Sequence, residues 1–85
     1  MKIVFSSHAL EDKFPILKER GFDLTKKQVH EVIKNPDHVD KISDYPKIIV
    51  SKELDHNHFL RVVYKLEGGI IKVITFYPAE KGRYY

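Results

Sequence analysis

Alternating apolar and polar positions fill the C-terminal third of the chain and predict its main sheet. Residues 59–66 and 70–77 are rich in β-branched and aromatic side chains, and Gly68 and Gly69 lie between them. Glycine pairs readily adopt the positive φ angles that tight hairpin turns require. The pattern therefore predicts an antiparallel hairpin, and a two-residue turn at the glycines sets the register of every other pair.

This register divides the predicted hairpin into two faces of different character. The first face is apolar, and we expect it to pack in the core: Leu60, Val62, Tyr64, Leu66, Ile71, Val73, Thr75 and Tyr77. The second face mixes cations with apolar side chains: Arg61, Val63, Lys65, Lys72, Ile74 and Phe76. An apolar patch of this kind is unusual on a purely solvated surface. The second face is therefore a candidate binding surface, and a solvated outer face is the alternative.

The N-terminal part of the chain predicts a short strand followed by a helix. Residues 2–5 form the strand candidate, and the two serines after it offer a helix N-cap. Leu10, Phe14 and Leu17 then recur at helical spacing and are expected to face the core. Because Pro15 lacks a backbone N–H, we expect a kink or break near Phe14.

A second helix has the clearest local signal in the sequence. Thr25 and Gln28 match a capping box at its start, and the Asn-Pro pair at residues 35–36 ends it. Weaker and stronger strand patterns follow at residues 37–43 and 48–54. This order predicts an α+β fold in which the helices pack on one face of an antiparallel sheet of three or four consecutive strands, with the N-terminal strand as a possible addition.

Composition narrows the class of protein. The 85 residues, 42% hydrophobic and 32% charged, predict one soluble globular domain spanning residues 1–85. The sequence has no run of about 18 apolar residues and no signal-peptide pattern at its start, so we expect a cytoplasmic protein without a membrane partner. The absence of cysteine excludes disulfides and cysteine-based catalysis or zinc binding. The formal net charge of +3 permits an anionic partner.

His8 is the strongest candidate for catalytic chemistry. It shares a helix face with Asp12, four residues further on. A carboxylate in that position can fix the imidazole tautomer, which is the usual support for a general base or acid. A solvated histidine in the first helical turn is the alternative and the commoner outcome for such a pair.

Cations and aromatics in the sheet half could hold a phosphate and stack a base. They are Arg61, Lys65, Lys72 and Phe76 on the second hairpin face and Lys81, Arg83 and Tyr84 in the C-terminal tail. A frayed C-terminus is the alternative for the tail. The histidines at positions 56 and 58 could chelate a metal, but a polar turn is commoner and the sequence offers no third ligand. We therefore expect neither a metal site nor a cofactor.

Several motifs occur in an order that resembles a known family. They are His8-Ala9-Leu10 after a short strand, Glu19-Arg20-Gly21-Phe22, residues 29–36, Leu60-Arg61-Val62-Val63-Tyr64, and Val73-Ile74-Thr75-Phe76-Tyr77-Pro78 with Arg83-Tyr84. Together they resemble an uncharacterised RelE-like family of small prokaryotic and phage proteins, in the superfamily of barnase, EndoU, colicin and RelE ribonucleases. The resemblance implies a RelE-like fold, with two helices packed on a four-stranded antiparallel sheet. It also implies metal-independent RNA cleavage, often by the toxin of a toxin–antitoxin pair.

The resemblance also implies roles for individual residues. The family's helix histidine maps to His8, its strand arginine to Arg61, and its terminal arginine and aromatic to Arg83 and Tyr84, and these four would be catalytic. The family's helix-end arginine maps to Arg20, which would bind RNA. The placement of the other side chains, rather than the resemblance, makes Asp12 the residue that orients His8 and makes Lys65, Lys72, Phe76 and Lys81 the remaining residues expected to bind RNA. The partners would be RNA, including mRNA on the ribosome, and a cognate antitoxin protein. This chain departs from the family pattern in the longer, proline-containing interval between His8 and Arg20. A non-catalytic RNA- or protein-binding domain of the same fold is the alternative.

Overall fold

In the computed structural model, which describes residues 2–82, helices and strands form an α+β architecture. The helical elements are a π-helical segment (His8–Lys13), helix α1 (Phe14–Glu19), which continues directly from it, and helix α2 (Lys26–Lys34). The strands are β1 (Lys2–Phe5), β2 (His38–Asp40), β3 (Ile48–Glu53), β4 (His58–Glu67) and β5 (Ile70–Glu80). The predicted order of elements along the chain is confirmed.

The five strands form one mixed sheet in the order β1-β5-β4-β3-β2. Strands β2 to β5 are antiparallel neighbours, whereas β1 pairs with β5 in parallel. The sheet therefore differs from the predicted antiparallel one by its edge strand β1. Parallel pairing is possible here because two helices and three strands separate β1 from β5 along the chain. The β4–β5 turn has Gly68 and Gly69 at φ angles of 54° and 81°, as its sequence predicted.

A β-bulge at Ile74 reverses the predicted faces in the second half of β5. Tyr64 pairs with Val73 as expected, but Val63 pairs with Thr75, which leaves Ile74 as the extra residue. One inserted residue sends every later side chain to the opposite face of the sheet. The predicted core positions of Thr75 and Tyr77 are therefore wrong, and so is the predicted placement of Phe76 on the mixed face. Phe76 is fully buried among the helices.

Both helices pack on the same face of the sheet and enclose the core. The buried core residues are Ala9, Leu17, Val29, Val32, Ile33, Val50, Leu60, Val62, Val73 and Phe76. Leu10, predicted to be buried, is 39% exposed, and Ala9 takes its place. Hydrogen bonds in a π-helix join residues five apart, so the residue one turn before Phe14 is Ala9.

The helix boundaries follow local signals that the sequence contains. The irregularity predicted near Phe14 is the change from π to α geometry, and Pro15 lies in the first turn of α1, where its missing N–H is not needed. The capping box is confirmed: Gln28 N–H donates to Thr25 Oγ1 at 3.2 Å, and Thr25 N–H donates to Gln28 Oε1 at 2.8 Å. Within residues 2–82, every helix is too short or too polar to cross a membrane.

Candidate functional site

The face of the sheet opposite the helices, called the far face below, carries three of the predicted site cations together with other polar side chains. Its residues are His38, Asp40, Ile49, Ser51, Arg61, Val63, Lys65, Lys72, Thr75 and Tyr77. Arg61, Lys65 and Lys72 lie on this face as the hairpin register predicted. Thr75 and Tyr77 join them because of the bulge.

Ser6 brings the start of the π-helical segment to the edge of β5, beside the bulge. Strand β1 ends opposite Val73, and Ser6 N–H donates to the Val73 carbonyl at 2.9 Å. The Ser6 hydroxyl donates to the carbonyl of Ile74 at 2.9 Å and accepts from Ala9 N–H at 3.2 Å. The Ser6 side chain therefore caps the helical segment and also provides a hydrogen-bond donor for the carbonyl of Ile74, the extra residue of the bulge. Ser7, the other predicted cap, makes no such bond.

The imidazole of His8 lies between a carboxylate and a hydroxyl. Its Nδ1 is 3.2 Å from Asp12 Oδ2, and its Nε2 is 3.3 Å from Thr75 Oγ1. An ionised carboxylate can only accept, so we assign the proton of the neutral ring to Nδ1 and the accepting role to Nε2. The His8 side chain is 54% exposed. The predicted His8–Asp12 pair is thus formed, and a basic nitrogen is directed at the far face.

A polar row crosses four strands of the far face. Tyr77 is paired with Arg61, Arg61 with Ser51, and Ser51 with His38. Arg61 Nε donates to the Tyr77 hydroxyl at 3.1 Å, and the guanidinium carbon is 5.8 Å from the centroid of the Tyr77 ring. Arg61 is only 8% exposed. The guanidinium is therefore part of a buried polar arrangement rather than an open cation at the surface.

Ser51 is the least expected member of this row. It is fully buried, and among the residues that the structure describes its hydroxyl has no hydrogen-bond partner. A buried hydroxyl without a partner costs stability. The hydrophobic pattern does not reveal this position, because a single serine in an apolar strand is also typical of an exposed edge.

Asp40 sets the charge at one end of the far face. Hydrogen bonds from Ser43, from its hydroxyl and its backbone N–H, lower the pKa of the Asp40 carboxyl from 3.8 to about 2, aided by Ile42 N–H and the charge of Arg61. The two backbone bonds measure 3.0 Å from Ser43 and 2.9 Å from Ile42. Asp40 is consequently an anion at neutral pH and would repel a phosphate at that end.

Positive charge collects at the other end, near β1 and the π-helical segment. Lys65 and Lys72 are direct cross-strand partners on the far face. Like charges placed opposite each other are destabilising, so this pair raises the local positive potential at a cost. Lys13 adds a third cation, with its Nζ 6.0 Å from the centroid of the Tyr77 ring. Lys13 was not predicted, because it follows His8 by one π turn rather than by an α-helical interval.

The remaining predicted site residues lie elsewhere. Phe76 is buried in the core and cannot stack a base. Arg20 is exposed at the end of α1, up to about 18 Å along the helix axis from His8. Lys81 Nζ forms an ion pair with Glu53 Oε2 at 2.7 Å and lies 5.5 Å from the Phe59 ring centroid. Arg83 and Tyr84 lie outside the described residues.

The turn before β4 uses one histidine structurally. His58 Nδ1 is 2.9 Å from Asp55 Oδ1, and this bond lowers the pKa of the Asp55 carboxyl. No cluster of three or more histidine, cysteine or acidic side chains able to hold a metal ion occurs within residues 2–82.

Comparisons of the chain with protein-family models, with curated proteins and with solved structures give no match. The far face itself is therefore the basis for assigning a function.

Proposed function

We propose that this chain is a metal-independent endoribonuclease of RelE-like fold. The observation that carries the proposal is the arrangement of His8, whose Nδ1 faces Asp12 and whose Nε2 faces the polar far face. A carboxylate-supported imidazole at the edge of a sheet face that also carries Lys65 and Lys72 is suited to proton transfer next to a phosphate. The motif order that resembles the RelE-like family supports the same activity.

In the proposed reaction, His8 Nε2 removes the proton from a ribose 2′-hydroxyl. The 2′-oxygen attacks the adjacent phosphorus, the bond from phosphorus to the 5′-oxygen breaks, and that oxygen takes a proton from the solvent. The products are a 2′,3′-cyclic phosphate and a 5′-hydroxyl. Lys13, Lys65 and Lys72 offset the negative charge that builds on the phosphoryl oxygens.

Arg61 has a more limited role in this proposal than its charge alone suggests. Its Nε is engaged by the Tyr77 hydroxyl and its side chain is buried. It therefore orients Tyr77 and adds positive potential beneath the site. Arg83 and Tyr84 keep the catalytic roles that the family resemblance implies. Arg20 lies far from His8 along the helix axis, so it would contact only an RNA strand that extends well beyond the cleavage site.

The activity is tested with a labelled RNA incubated with the protein in EDTA. We expect cleavage that leaves a 2′,3′-cyclic phosphate, and no cleavage where the 2′-hydroxyl at the cut position is replaced by hydrogen. Cleavage of the deoxy-substituted substrate would contradict the proposed chemistry. If neither the protein alone nor the protein with ribosomes cleaves RNA, the proposed activity is wrong.

The toxin role and the antitoxin partner follow from the resemblance alone. They predict that expression of the chain arrests bacterial growth and that a small adjacent gene encodes a protein that relieves the arrest. If the chain cleaves RNA but its expression leaves bacterial growth unaffected, the protein is a ribonuclease and the proposed toxin role is wrong.

A non-catalytic RNA-binding domain is the second candidate, and the Lys65–Lys72 pair favours it. Two directly opposed cations gain stability when an anion lies between them, whether or not chemistry follows. This candidate predicts salt-sensitive RNA binding without cleavage. Binding that ignores salt would instead favour a protein partner on this face.

A further inference from the structure

We infer that Thr75 is a positioning residue for His8, holding the imidazole with Nε2 directed at the place where a substrate hydroxyl must bind. The inference rests on the proposed function for its catalytic consequence, but not for the contact itself. Two independent features lead to it: the hydrogen bonds of the His8 ring and the bulge at Ile74.

The ring contacts explain why a second restraint matters. Asp12 alone contacts only Nδ1, and a single hydrogen bond leaves a half-exposed side chain able to rotate about that contact. The Thr75 hydroxyl contacts the opposite nitrogen at 3.3 Å. Because Asp12 and Thr75 belong to different elements, together they fix both the tautomer and the direction of the ring.

The position of Thr75 on the far face is determined by the bulge in β5. In the regular register predicted by the glycine turn, Val63 would face Ile74, and Thr75 would point into the core. The extra residue turns Thr75 to the far face, opposite Val63. The bulge is anchored by Ser6, which also caps the segment that carries His8. Bulges often redirect a side chain beside a functional site, and here the redirected side chain contacts His8.

The contact is suited to exchange with a substrate. A distance of 3.3 Å is long for a hydroxyl donating to a ring nitrogen, so the bond is weak. A ribose 2′-hydroxyl donating to Nε2 would replace the Thr75 hydroxyl at little cost. Thr75 thus directs Nε2 in the resting protein without competing strongly once RNA is bound.

The contact is tested by ¹⁵N NMR of the histidine rings in the full-length protein, with the His8 signals assigned from the spectrum of His8→Ala. In wild type and Thr75→Ser we expect the Nδ1–H tautomer with a hydrogen-bonded Nε2. In Thr75→Val, which keeps the β-branched shape, the Nε2 resonance should move towards that of a solvent-exposed ring. Ser7→Ala removes an exposed neighbouring hydroxyl and should leave the His8 signals unchanged.

The catalytic consequence is tested by RNA cleavage with the same variants. Because the contact is present only until RNA displaces it, Thr75→Val should lower kcat/KM about tenfold with kcat within about twofold, and Thr75→Ser should restore most of kcat/KM. Unchanged His8 resonances in Thr75→Val would overturn the inference, whatever the activity. Altered resonances with a wild-type kcat/KM would overturn the positioning role in catalysis. If wild type cleaves no RNA, the proposed function fails, and the spectrum alone still decides whether Thr75 holds His8.

Discussion

The hydrogen bond between Arg61 and Tyr77 joins two neighbouring strands through a buried cation. Tyr77→Phe removes the acceptor of Arg61 Nε and leaves the ring in place. Hydrogen bonds to charged groups contribute about 1.5–3 kcal/mol, so we expect a loss of about that size in the free energy of unfolding, measured by urea denaturation. Tyr45→Phe removes the hydroxyl of an 82% exposed tyrosine and is the control. Equal stability of the two variants would contradict the structural importance of this bond.

Asp40 makes stability depend on acid pH in a defined direction. Its pKa is lower in the folded protein, about 2, than its ordinary value of 3.8. The ionised carboxylate therefore stabilises the fold above pH 4, and this contribution is lost as the pH falls towards 2. Asp40→Asn should show a smaller decrease in unfolding free energy between pH 4 and pH 2 than wild type does.

Two variants separate the causes of that effect. Ser43→Ala removes the largest contribution to the shift and should change the pH dependence in the same direction, but less. Asp44→Asn removes one negative charge from the same loop without removing the hydrogen bonds to Asp40. A pH dependence identical in wild type and Asp40→Asn would contradict the assignment.

Among single residues, those whose contacts depend only on spacing along a helix could be predicted from the sequence. His8 and Asp12 were predicted to pair because residues four apart on a helix are neighbours, and they do. Thr75 and Tyr77 were assigned to the wrong face because one unseen extra residue reverses the alternation of a strand. Lys13 was missed because the predicted helix had α geometry. In each case the missing information was a backbone irregularity, which a hydrophobic pattern does not reveal.

At the scale of elements, Ser6 links the bulge in β5 to the helical segment. Ser6→Ala removes both bonds of its hydroxyl and should destabilise the fold by about 1–2 kcal/mol in urea denaturation. Ser7→Ala is the matched control, because its side chain caps nothing and is exposed. If the two variants are equally stable, Ser6 does not anchor the bulge.

The elements themselves were predicted where their ends carry local signals. The capping box of α2 and the Gly68-Gly69 turn involve residues close in sequence, and both formed as expected. The parallel pairing of β1 with β5 joins residues nearly seventy positions apart, so no local pattern specifies it. The RelE-like relationship itself stays a prediction, since the α+β arrangement of helices and sheet is common to many folds.

For the whole molecule, the distribution of cations predicts how RNA binding responds to salt. Each neutralised phosphate of a single strand contributes about 0.7 to the slope of log affinity against log salt. Lys65→Ala and Lys72→Ala should each reduce the slope by about that amount. Lys18→Ala removes an exposed cation from α1 and is the control. Equal effects of all three variants would mean that RNA does not bind at the far face.

The most direct measurement is the rate at which His8→Ala cleaves a labelled RNA in EDTA, compared with wild type. Loss of a general base typically costs ~10²–10⁴-fold in rate, and we expect a loss in that range. His56→Ala, which removes an exposed histidine from the turn before β4, should cleave at the wild-type rate. Circular dichroism should show all three proteins folded. A folded His8→Ala variant that cleaves as fast as wild type would contradict the assignment of His8 as the base.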